Sequence, residues 1–76
     1  MTVKEWCNEH SDVSVSITHP NTLEGWKVNI EMSDPKTGGH KVFRESIRYA
    51  KPTDKDICEL LSSMYVDFLN KRAANI

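Results

Sequence analysis

The sequence predicts an α+β protein: a two-layer sandwich in the order α-β-β-β-α, with a three-stranded antiparallel sheet and both helices on one face. Three observations carry this. Val13, Val15 and Ile17 alternate with Ser14, Ser16 and Thr18, the period-two signature of a half-buried strand. Trp26, Val28, Ile30 and Met32 repeat it against Lys27, Asn29 and Glu31. Ile57, Leu60, Leu61, Met64, Tyr65 and Phe68 recur at the three- and four-residue spacing of one helical face.

Taken in order, Thr2 and Glu5 have the spacing of a capping box. Val3, Trp6 and Cys7 then share a face of a helix about two turns long that ends near His10, too short to persist without packing. The first strand follows, and Pro20 and Asn21 stop it. The second strand runs through "GWKVNIEM" into the loop "SDPKTGG", where Pro35 suits a turn start and two glycines can take positive φ. The third strand, "HKVFRESIRYA", is expected to turn Phe43, Ile47 and Tyr49 to the core, with a bulge near Glu45 absorbing the intruding charge. Thr53 caps the last helix, Asp54 and Asp56 complement its dipole, and Lys71 and Arg72 suit its far end. Packing both helices on one side leaves the other face of the sheet to solvent, which antiparallel sheets tolerate.

The chain has 76 residues, enough for one domain spanning 1–76. A chain of this size buries only about 60% of its unfolded surface, so a partner or a second copy could add to its core. No apolar run approaches the ~20 residues of a membrane span. "MTVKEWCNEH" lacks the basic-then-apolar pattern of a signal peptide, so the expectation is a cytoplasmic protein without membrane contact. Two cysteines, Cys7 and Cys58, are too few for a disulfide scaffold and are read as reduced thiols, one bridge between them being the alternative. A net charge of −1 argues against a strongly nucleic-acid-binding domain.

Cys7 and His10 resemble half of a metal site, but His19, His40 and Cys58 are scattered singly and complete no tetrahedral set. The plainer reading is a small packed thiol beside Trp6 and a histidine at a helix end. No residue is placed to orient His10 as a base for Cys7, and the thiol lies far from the helix N-terminus. "KTGGHK" lacks the Lys-Ser/Thr and following helix of a phosphate loop. No catalytic residue, metal ligand or cofactor is therefore assigned.

The remaining signal is the basic segment 40–51, with Lys41, Arg44, Arg48 and Lys51 against Glu45. In the expected phase, Arg44 and Arg48 lie on the open sheet face with Lys27 and Asn29, and these four are the candidate partner-binding residues. An ordinary solvated sheet face would have the same composition.

The order α-β-β-β-α resembles that of the double-stranded-RNA-binding domain. That resemblance implies phosphate contacts from a lysine pair at the start of the last helix. Here "KPTDKDI" interleaves Asp54 and Asp56 with Lys51 and Lys55, and the acids would repel those phosphates. The expectation is a small non-enzymatic accessory or regulatory protein, a size class that includes proteins of phages and other mobile elements. It would act as a monomer or homodimer by binding another macromolecule, a protein in the first place. The alternative is a nucleic-acid-binding module using the strand Lys41–Lys51, and a weaker one is a metal- or thiol-dependent protein.

Overall fold

The structure, a computed structural model, describes residues 1–74. Its elements are α1 (Val3–Glu9), β1 (Ser14–Thr18), β2 (Asn21–Thr22), β3 (Gly25–Ser33), β4 (Val42–Arg48) and α2 (Asp54–Ala74). The α+β architecture expected from the sequence is present, with four strands instead of three. The difference lies at His19–Pro20, where the first strand breaks. β1 and β2 then pair in succession along one edge of β3, Thr18 opposite Asn29 and Asn21 opposite Trp26. β4 pairs with the other edge, and every pairing is antiparallel.

Local chemistry explains the ends of the elements. The Thr2 hydroxyl accepts the Glu5 N–H at 3.1 Å, and Glu5 Oε1 accepts the Thr2 N–H at 3.0 Å. α2 opens on the same reciprocal arrangement with aspartate in place of glutamate: Asp56 N–H donates to Thr53 Oγ1 at 3.2 Å, and Thr53 N–H donates to Asp56 Oδ2 at 3.1 Å. In the loop before β4, Asp34 Oδ1 accepts the Lys36 N–H, and the Asp34 carbonyl accepts the Gly38 N–H. The positive-φ positions there are Gly38 and His40.

The core lies between α2 and β3. Val28, Ile30 and Met32 from the strand meet Ile57, Leu61, Met64 and Phe68 from the helix, with Trp6 and Val13 closing the side. Val15 and Ile17 on β1, and Leu60 and Tyr65 on α2, pack around it half-buried. α1 is held mainly through α2: Trp6 is buried, and its indole Nε1–H donates to Ser62 Oγ at 3.1 Å.

β4 corrects the expected facing. Its register against β3 is continuous, from Trp26 opposite Arg48 to Met32 opposite Val42, with no bulge. Val42, Arg44, Ser46 and Arg48 therefore share the helix side with Val28 and Ile30. Phe43, Glu45 and Ile47 face outward. Phe43 is 63% exposed, Ile47 48% and Tyr49 fully so. Arginine wins the inner positions because its apolar stem can lie along the sheet while its charged head reaches out to the flank of α2.

Candidate functional site: the open face of the sheet and its β4 edge

The open face is built from three rows. β1 contributes the exposed Ser14, Ser16 and Thr18. β3 contributes Lys27, Asn29 and Glu31, which the ladder sets opposite Ile47, Glu45 and Phe43 of β4. Lys27 Nζ lies 3.8 Å from Glu45 and Lys41 Nζ 3.4 Å from Glu31. Asn29 Nδ2 reaches Thr18 Oγ1 at 3.5 Å, while its buried Oδ1 has no protein partner. The face is thus polar over β1, charge-paired over β3, and apolar only along β4 and at Tyr49 just beyond it.

Of the four residues predicted to form one basic surface, the structure keeps Lys27 and Asn29 together on this face and moves Arg44 and Arg48 to the other. Arg44 donates to Ser63 Oγ at 3.0 Å and to Asp67 Oδ2 at 3.1 Å. Arg48 lies 3.8 Å from Asp56. Both guanidiniums are therefore engaged with α2. The cause is strand phase: a one-residue change in the assumed facing exchanges every side chain between the two faces. Phe43, Ile47 and Tyr49, assigned to the core from sequence, are the surface residues that were missed. A signal for them was present. The phase that places Glu45 in water requires no bulge, and it necessarily brings Phe43 and Ile47 out with it.

The other sequence candidates are placed as follows. His10 caps α1, stacks on Trp6 with ring centroids 3.8 Å apart, and meets Tyr65 edge-on. Its Nδ1 is 2.8 Å from the Trp6 carbonyl. A carbonyl only accepts, so that nitrogen carries the proton. Cys7 and Cys58 are both free thiols, and burial pushes the Cys58 thiol above its ordinary pKa. Among the described residues, no three His, Cys, Asp or Glu side chains converge as a metal site would require. A shallow groove of about 470 Å³ between the helices is lined by Met1, Trp6, Lys55, Cys58, Glu59 and Ser62. No described helix is long and apolar enough to cross a membrane. At the start of α2, Asp56 sits against Arg48 and within the Thr53 cap. The Thr53 N–H and hydroxyl hold its carboxyl below the usual range, with the arginine adding to the effect. An anionic carboxylate thus stands where the double-stranded-RNA-binding arrangement would place phosphate-gripping charge.

Compared with protein-family models, curated proteins and solved structures, the chain finds no match.

Proposed function

We propose that this chain is a small non-enzymatic accessory or regulatory protein that binds another protein through the open sheet face at its β4 side. The observation that carries the reading is the row of large apolar side chains, Phe43, Ile47 and Tyr49, left in water on one strand and its extension. Singly exposed apolar residues are ordinary. Aligned ones rimmed by polar groups mark interaction surfaces. Lys27 and Asn29 belong to that polar rim, and the Lys27–Glu45 pair supplies charge of both signs beside the apolar row.

Two further observations support it. Arg44, Arg48 and Lys41 each stand within ion-pair distance of a carboxylate of this same chain, so phosphates would have to displace internal partners. The groups closest to nucleophile and base, Cys7, Cys58 and His10, are spent on packing and on a hydrogen bond to backbone. The test is affinity capture with the wild-type chain and with the double variant Phe43→Ser/Ile47→Ser, whose positions are exposed. A protein captured by the wild type and lost from the variant is expected. Equal capture by both, or retention on duplex nucleic acid that falls steeply with salt and needs Lys41 and Lys51, would overturn the reading in favour of another surface or the nucleic-acid alternative.

A further inference from the structure

The two edges of the sheet differ. The β1/β2 edge is interrupted at His19–Pro20, and its outward side chains are Ser14, Ser16 and Thr18. The β4 edge is seven residues long, regular, free of proline and, among the described residues, paired only on its β3 side. Regular unpaired edges are templates for another strand, and proteins usually blunt them with bulges, prolines or charges projecting past the edge. β4 has charges, but Arg44 and Arg48 are drawn inward to Asp67, Ser63 and Asp56. What the edge presents outward is Phe43 and Ile47, with Glu45 between them.

We propose that the occupant of this edge is a second copy of the chain, joined β4 to β4 in antiparallel register about a two-fold axis through Glu45, so that the two sheets become one. This names the partner within the protein-binding reading above and rests on it. The strand is self-complementary in that register. Phe43 falls opposite Ile47 of the copy, and Ile47 opposite Phe43, giving two aromatic–β-branched cross-strand pairs on the open face. On the helix side Arg44 falls opposite Ser46, and Arg48 opposite Val42.

The apolar pairs select this register over its neighbours. Shifting the axis to Arg44 sets Phe43 against Glu45, and shifting it to Ser46 sets Ile47 against Glu45, so either shift leaves a charge opposite an apolar side chain. The chosen register does bring two Glu45 side chains together, but each has a Lys27 ammonium 3.8 Å away on its own protomer, so the axis carries two carboxylates between two cations.

Pairing covers the outward backbone of β4 and the facing flanks of Phe43 and Ile47, 63% and 48% exposed in the single chain, a small contact suited to a weak, concentration-dependent dimer. The dimer would set the two open faces, each with its Lys27 and Asn29, side by side as one wider surface.

The test is sedimentation equilibrium of the full chain from the micromolar to the submillimolar range, on the wild type and on three variants. Phe43→Lys and Ile47→Lys place an edge charge at an exposed position. Leu23→Lys changes a fully exposed apolar residue at the hairpin tip, away from β4, and serves as the control. Thermal melts show whether each variant is folded. We expect a concentration-dependent wild-type dimer, a dimer affinity at least about tenfold weaker for each β4 variant, and no change for Leu23→Lys. A wild type that stays monomeric throughout overturns the inference, as does a dimer indifferent to both β4 substitutions. A monomeric wild type that still captures a different protein through Phe43 and Ile47 sinks the dimer while leaving the protein-binding reading in place.

Discussion

Trp6 shows how one residue can tie a short helix to the molecule. A helix of seven residues does not hold itself. α1 persists because its capping box satisfies its first N–H groups and its indole is buried under α2, hydrogen-bonded to Ser62 and stacked by His10. The apolar body and the polar handle are separable. Trp6→Phe keeps most of the ring packing and removes the Nε1–H donor, and it should cost about 1 kcal/mol in urea unfolding. Trp6→Ala removes both and should cost ~3–5 kcal/mol. Equal losses for the two variants would mean that the hydrogen bond, and not the buried ring, anchors α1. Near the other end of α2, Asp12 accepts from the Tyr65 hydroxyl at 2.7 Å while Arg72 donates to the Asp12 carbonyl at 2.9 Å. That hydrogen bond raises the pKa of the Tyr65 phenol and ties the α1–β1 turn to the helix.

At the scale of elements, both helices begin on a threonine that trades hydrogen bonds with a carboxylate three residues on. Each arrangement favours the ionised carboxylate. The Thr2 backbone and hydroxyl hold Glu5 below its ordinary pKa, and the Thr53 backbone and hydroxyl do the same for Asp56. A folded pKa lower than the unfolded one gives stability that is present above the unfolded value, about 4 for carboxylates, and is lost as pH falls through the folded value. Urea midpoints should therefore decline on acidification through that range. The decline should be shallower in the double variant Thr2→Ala/Thr53→Ala, which is less stable at neutral pH by about 1 kcal/mol per cap. An acid limb of unchanged steepness in that variant would show that other carboxylates govern it, Asp34 first among them, since the Lys36 N–H holds it low in the same way.

For the molecule as a whole, stability depends on one thin layer. Leu61, Met64 and Phe68 are fully excluded from water, and they rest on Val28, Ile30 and Met32. A small domain has only about 5–15 kcal/mol in total. Leu61→Ala should remove ~2–5 kcal/mol of it. At roughly 4–8 °C per kcal/mol for a domain of this size, the thermal midpoint should fall by more than about 8 °C. A midpoint shift of only a degree or two, read by calorimetry, would remove Leu61 from the centre of the core. The same thinness gives a second protein room to act: covering Phe43, Ile47 and Tyr49 would bury apolar surface that the chain alone leaves in water.

The parts of the fold with local signals are legible in the residues alone. The Thr2–Glu5 cap, the alternation on β1 and β3, and the spacing from Ile57 to Phe68 each lie within a few residues, and each is matched by the observed element and its buried side. The facing of β4 is different. Its two sides, Val42–Arg44–Ser46–Arg48 and Phe43–Glu45–Ile47, are both mixed, so periodicity could not choose between them. The choice was made by partners distant in the chain. Arg44 meets Ser63 and Asp67, 19 and 23 residues onward, and these exist as partners only once α2 lies across the sheet. Gly25 belongs to the same class. At φ +126° a side chain there would be strained, and a Cβ would stand 2.6 Å from the Arg48 carbonyl, a constraint created by the ladder between β3 and β4. Tertiary structure alone could therefore put the arginines against the helix and the aromatic row in water, because the free energy of those placements resides in contacts that no local stretch contains.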